Sequence, residues 1–337
     1  MAGITFTEGS GLQDSVYGKS QAPIRMFIEK QGEAFEQKSI VKEVFNMETS
    51  KNWAEKITGM TSMNGFQAVG ENGDYPHDTM QEGYDKTFEH MTWKDEFSIS
   101  REMIDDSKIL DLRRQPQMFT TGYYRTREMF GAALFGGALS GQTAITYATK
   151  KFATTTADGV GLFAKNHPSK LKKAAQSNMF ADAFSNDALM AMEEKMQMFT
   201  DDNGNILDVV PDTIIIPNSY TLKKAVFAAI GADKDPATAN NGFNYNFGRW
   251  NVIVWPYLNQ FIAAGAKPWI LGAGEFNKNY GGAVWFDRVN LEVRSELADN
   301  DANVWKGYAR FTAGFANWRA FAAGGMTGGD TLIAGAS

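Results

Sequence analysis

Three histidines, His77, His90 and His167, are the whole imidazole complement of this 337-residue chain, and cysteine is absent. Imidazole titrates near neutrality, so a Ser-His-Asp triad, a histidine general base or a histidine-rich metal site has to be built from these three. His167, in Phe163-Ala164-Lys165-Asn166-His167-Pro168-Ser169, is the best catalytic candidate. Its place in a loop, ahead of a proline, fits a turn or hydrogen-bonding residue better than a base. Without thiols, a disulfide framework, thiolate catalysis and cysteine-ligated zinc are excluded, and the fold is indifferent to redox compartment.

Carboxylates and glycines fare no better as chemistry. Asp299, Asp301 and Asn303 open with the spacing of a calcium loop, but Val304 stands where the turn needs glycine and Arg310 where it needs a bidentate acid. Asp201, Asp202 and Asn203 fail because Gly204 comes too early. Gly272-Ala273-Gly274-Glu275 follows a strand but lacks the third glycine and the helix of a dinucleotide site, and no Walker motif occurs. Lys170, Lys172 and Lys173, with Arg113 and Arg114, are the compact basic clusters, and they read as solvated surface that could face a polyanion. The sequence therefore assigns no catalytic residue, no cofactor and no metal.

The elements that would have to position a site are more informative. Phe66, Gln67, Ala68 and Val69 read as an outgoing strand, Gly70 to Pro76 carries turn chemistry, and Tyr84 to Ser100 reads as the return. Along the return the alternation changes parity before Trp93, which predicts a bulge or bend. A two-stranded hairpin has no core of its own, so its cover is expected on another subunit. Phe66, Val69, Tyr75, Tyr84, Phe88 and Trp93 are its candidate interface residues.

Ser98 or Ser100 then caps a helical turn, and a long helix begins near Asp111 and runs to Leu139. Phe119, Tyr123, Phe130 and Leu134 form its buried stripe. No charge occurs between Glu128 and Lys150, but Ser140, Gln142, Thr143, Thr146 and the glycines make this stretch too polar for a membrane span. From Asn186 the pattern is that of an α/β lobe: a helix over 187–199, a strand over 213–216, a helix with Leu222, Val226, Phe227 and Ile230 as apolar positions, and strands over 251–255 and 269–272. Ala283 to Val293 and Trp305 to Ala316 read as a long antiparallel pair whose partners lie upstream. Residues 1 to about 30 read as an extended arm, 33–45 as a short helix, and the last dozen as a flexible tail.

Composition bounds the rest. With 43% hydrophobic residues the chain can bury a substantial core, and a net charge of −6 denies it the basic footprint of a dedicated nucleic-acid binder. The first residues have neither a basic n-region nor an apolar h-region, so no secretory signal is expected and synthesis in the cytosol fits best.

Phe97-Ser98-Ile99-Ser100-Arg101-Glu102-Met103-Ile104-Asp105-Asp106, Leu162-Phe163-Ala164-Lys165-Asn166-His167-Pro168 and Pro211-Asp212-Thr213-Ile214-Ile215-Ile216-Pro217, in this order of elements, resemble the major capsid protein of tailed bacteriophages, with the Hong Kong 97-type fold. The second segment is similar to an element of the Mu-like head-protein group. The resemblance implies an α+β chain with an N-terminal arm over 1–55, an E-loop hairpin over 56–97, a discontinuous P-domain over 98–180 and 282–325, an A-domain over 181–281 and a tail over 326–337. It places the loop carrying Asp233, Lys234 and Asp235 near the axis of a hexamer or pentamer, as further interface residues. It implies an icosahedral head around double-stranded DNA contacted non-specifically, assembled in the host bacterial cytoplasm and carried in the virion. Partners would be further copies, a portal, a decoration protein and no membrane. An arm that begins at Met1 without coiled-coil heptads implies a separate scaffolding protein. An encapsulin-type compartment is the alternative reading.

Overall fold

The computed structural model describes residues 4–8, 15–60, 63, 66–71, 73–78, 82–106, 109–171, 173–231 and 243–333. Two sheets and one long helix organise them. The helix runs Ile109–Leu139, 31 residues or roughly 46 Å at the usual rise. Its C-terminal part, from Phe130 to Ala138, is buried on every side, which accounts for the absence of charge in that part of the run: there is no solvent for a charge to face. Among the described residues no helix is long and apolar enough to cross a membrane. The expected stop is observed, with Gly141 at a positive φ of 68° after the last turn.

The larger sheet is built on the predicted long pair, Ala283–Leu297 against Asn303–Phe315. Its partners do come from upstream: Met91–Ile99 pairs antiparallel with Asn303–Phe315, while Asn46–Thr49 and Thr5–Glu8 pair parallel with Ala283–Leu297. The smaller sheet has the order Phe321–Gly324, Trp269–Gly272, Thr213–Pro217, Asn251–Trp255. Phe135 of the long helix joins the two, with its ring 4.9 Å from that of Phe315 on one side and 5.3 Å from Phe321 on the other. Phe130 sits one turn earlier among Trp93, Phe152, Trp285 and Phe311. The lobe helices form as expected, and Ser185 caps Asn186–Gln197 by accepting from Ala188 N–H at 3.1 Å.

Several expectations are corrected. The N-terminal arm is not extended throughout: Ser15–Glu36 is a 22-residue helix, with Ile24 and Ile28 buried one turn apart. Glycine and serine lower its intrinsic propensity, but packing of that apolar face outweighs the deficit. The short helix expected over 33–45 is split between the end of this one and a single turn, Val41–Val44. Residues 321–324 pair with the smaller sheet. The tail is held as far as 333: Asp182 accepts from the N–H groups of Leu332 and Ile333, and Phe180 bridges to Asp330. Residues 334–337 lie outside the described residues. A seven-residue helix, Gly274–Tyr280, does follow the strand before Gly272.

Candidate assembly surface

The hairpin is formed by Ala54–Met60 and Glu82–Glu89, paired from Ala54 opposite Glu89 to Met60 opposite Glu82. The outgoing strand is thus earlier than Phe66–Val69, which has no strand pairing. The return strand ends at Glu89, and the parity shift read from sequence is the break at His90, after which Met91–Ile99 belongs to the larger sheet. The break reverses which face each residue presents. Trp93 therefore turns inward, stacked on Phe311 at 4.8 Å with its indole N–H donated to the Phe311 carbonyl at 3.3 Å. It is partly buried against the core of its own chain.

Phe88 also turns to its own chain. It is buried against Val284, Phe286 and Ala316, and a Cβ at Gly314 would fall 2.7 Å from its ring, so glycine there makes room for the aromatic side chain. Tyr84 is half-buried under Lys170, whose ammonium lies 6.0 Å from the ring centroid and donates to the Gly83 carbonyl at 2.7 Å. From the opposite side Lys86 donates to the backbone carbonyl of Thr155 and lies near Asp158. Burial pushes the Lys86 amine down to about 8, with Asp158 opposing the shift. Two lysines pointing in opposite directions thus fasten the hairpin root to the segment 155–170. Sequence reading missed this fastening because neither lysine belongs to a motif.

Beyond the root the hairpin parts from its own chain. Phe66 and Tyr75 are fully exposed, Val69 and Met63 more than half exposed, and Gly73 N–H donates to Gly70 at 2.9 Å in the expected turn. These rings are the ones free to find cover elsewhere; fully burying such side chains is worth about 1.5–3 kcal/mol each. The other expected interface residues, Asp233, Lys234 and Asp235, lie outside the described residues.

The chemical candidates resolve as structure. His167 donates or accepts at both ring nitrogens, 2.7 Å from Asp158 and 3.1 Å from Asn178, and stacks on Trp318 at 4.3 Å. Burial alone would raise the Asp158 carboxyl, but hydrogen bonds from His167 and Thr156 outweigh it and hold the group below the usual range. With its ring wholly buried, His167 has no face left for a substrate. His90 is buried at the hairpin root against Ser50, and His77 is exposed near the tip. Among the described residues no cluster of three or more histidine, aspartate or glutamate side chains is arranged to hold a metal.

Comparison with known proteins agrees with this architecture. A solved structure from Mycobacterium phage Patience aligns over 99% of this chain and 94% of its own, at 11% identity and a TM-score of 0.50. The mature capsid of bacteriophage PhiM1 aligns over 86% and 87%, also at 11% identity and 0.50. At such identity the likeness establishes the fold, which is the Hong Kong 97-type α+β fold. No curated protein matches the sequence. The model of the phage capsid protein family matches residues 84–324, which take in most of the hairpin's return strand, the long helix, the smaller sheet and the strands Met91–Ile99, Ala283–Leu297 and Asn303–Phe315 of the larger one, and the chain belongs to that family.

Proposed function

We infer that this structural major capsid protein closes an icosahedral phage head, as hexamers and pentamers around double-stranded DNA, and that the hairpin joins neighbouring copies. The observation that carries the reading is the contrast within one ribbon. Phe88 is spent on the chain's own core, whereas Phe66 and Tyr75 have no cover on the described chain and Val69 is more than half exposed. Residues 54–89 then correspond to the E-loop, the Ile109–Leu139 helix to the P-domain spine, and the smaller sheet with its helices to the A-domain.

Association energy in such a shell comes from apolar burial at subunit boundaries and needs no catalytic residue. A net charge of −6 suits a container that touches its DNA weakly and without sequence preference. The segment Leu162 to Pro168 favours the Mu-like group. Scaffolding, portal and decoration proteins would be separate chains, with assembly in the host cytoplasm. The phage family match favours a head over an encapsulin-type compartment.

The test replaces residues 61–81 by a two-residue Asn-Gly turn, keeping the root and both lysine contacts. Electron microscopy of wild-type protein is expected to show closed shells, and the shortened variant a folded subunit that forms none. Normal shells from the variant would refute the hairpin's role, and shells enclosing protein cargo in place of DNA would restore the compartment reading.

A further inference from the structure

His90 stands where the hairpin's return strand, Glu82–Glu89, gives way to Met91–Ile99 of the larger sheet, and it is only 7% exposed. One ring nitrogen is accounted for. Ser50 gives its single hydroxyl hydrogen to Glu55 Oε1 at 2.6 Å, so towards His90 Nε2, 2.9 Å away, it accepts, and that nitrogen carries the proton. The other nitrogen, Nδ1, is buried with no hydrogen-bond partner, a position that native structures leave empty only rarely.

Two arginines share this side of the sheet. Asp287 turns to the long helix to hold Arg127, so the next residue, Arg288, faces the other way, the side of Phe286, whose ring lies 6.4 Å from that of His90. Arg288 is also the extra residue of the irregularity there, between Asp287 opposite Phe311 and Val289 opposite Arg310. Arg310 is in turn opposite Thr92, two residues from His90, and so stands on the same face as both. Its Nε is buried without an acceptor. Among the described residues neither Arg288 nor Arg310 is in an ion pair. The acids near the ring are engaged elsewhere, Glu55 with Ser50 and Asn52, and Asp287 with Arg127 and Trp285. Burial first, then the charges of Arg288 and Arg310, hold the imidazole below its usual range, with Glu55 and Asp287 opposing them.

We propose that His90, Arg288 and Arg310 form a binding site for a free tetrahedral oxyanion, of the sulfate or phosphate class, which ties the hairpin root to the two long strands of the larger sheet. A carboxylate has two oxygens, and one guanidinium fork satisfies both; a tetrahedral dianion has oxygens enough for two forks and a ring N–H together. A phosphodiester of nucleic acid offers one charge and two free oxygens, flanked by sugars that keep it from an imidazole nine-tenths buried. Binding carries a proton with it. The anion offsets the two arginine charges, so the ring becomes imidazolium and Nδ1–H donates to the bound oxygen. Because the ring binds its second proton more readily with the anion in place, affinity rises as the pH falls. The site does not depend on the shell-forming reading.

With three histidines in the chain, histidine-selective isotope labelling gives an NMR spectrum in which His90 is followed directly. Sodium sulfate, a dianion throughout the neutral range, is titrated into dissociated wild-type subunits against sodium chloride of equal ionic strength. The His90 signal is expected to saturate as for one site in sulfate alone, with its titration midpoint moved upward, while exposed His77 responds alike to both salts. Equal responses of His90 to the two salts overturn the proposal, and this arm needs no variant. Sulfate affinity is expected to tighten at least about threefold from about pH 8 to about pH 6, and His90→Gln to lose that gain. The same gain in His90→Gln overturns the role of the ring. R288Q/R310Q is expected to weaken sulfate binding at least about tenfold, and binding at wild-type strength in a folded double variant overturns the site. Displacement of sulfate by a short DNA duplex, or its exclusion from assembled shells, overturns the free oxyanion in favour of DNA or of a neighbouring copy.

Discussion

Arg127 and Asp287, 160 residues apart, meet through two parallel hydrogen bonds of 2.7 and 2.9 Å inside the protein. The pair pins the long helix to the central strand of the larger sheet, beside an irregularity in that strand's register. Burial works against the guanidinium, but Tyr123 and the Asp287 carboxylate outweigh it and keep the group protonated. Trp285 donates its indole N–H to the same carboxylate at 3.0 Å, and the guanidinium lies 4.7 Å from the Trp285 ring centroid.

Removing one partner strands the other. Asp287→Ala leaves a buried guanidinium with the Tyr123 hydroxyl in place of its counter-ion, and the Trp285 indole N–H without its acceptor, and is expected to cost about 3–5 kcal/mol in denaturant unfolding. R127M/D287L removes both charges and is expected to cost less than the sum of the single variants. Additive losses in that double-mutant cycle would show that the two residues act independently.

Lys86 gives a pH dependence of definite sign. Its amine is held at about 8 in the fold against 10.5 in the unfolded chain, so between these values the unfolded chain binds the extra proton. Stability therefore rises with pH from 8 to 10, by roughly 2 kcal/mol, and at neutral pH the fold carries a buried ammonium near Asp158. Thermal unfolding is expected to show the stability of wild type rising by this amount relative to that of Lys86→Met from pH 8 to 10. A constant difference between them would place the titration elsewhere.

How much of this was legible in the sequence depends on which interactions are local. The long strand pair and the helix from near 111 to 139 show in periodicity, because the burial of each face repeats along the chain. The change of parity around His90 announced a bend, but whether Trp93 beyond it faced a neighbour or the core was decided by pairing with Asn303–Phe315, more than 200 residues away in sequence. The same holds for Phe88, whose partners Val284, Phe286 and Ala316 arrive late. Helix Ser15–Glu36 was obscured by composition, since what stabilises it is the long helix it lies on.

The glycines of the long helix have opposite roles that one substitution each can separate. A Cβ at Gly136 would sit 2.3 Å from Phe261 Cβ and 3.0 Å from its carbonyl oxygen, whereas a Cβ at Gly122 meets nothing within 4 Å. Gly136→Ala is expected to destabilise by about 1–3 kcal/mol, the overpacking exceeding the gain in helix propensity. Gly122→Ala keeps that gain, about 0.5–1 kcal/mol, with no opposing contact. Equal effects on the unfolding midpoint would refute close approach as the reason for Gly136.

The hairpin aromatics divide into two sets that a pair of measurements tells apart. Phe88 fills its own chain's core, so Phe88→Ala is expected to cost about 3–5 kcal/mol in unfolding and to loosen the root, whatever the state of assembly. Phe66 and Tyr75 touch nothing that would be missed in the isolated subunit, so F66S/Y75S is expected to shift subunit stability by no more than about 0.5 kcal/mol. If these rings are covered by a neighbour, the same double variant loses about 1.5–3 kcal/mol of burial per ring on assembly, enough to raise the assembling concentration more than tenfold. Sedimentation across a concentration series reads that shift directly. An unchanged threshold would mean that the tip makes no contact on which the shell depends, and that subunits are joined through other surfaces.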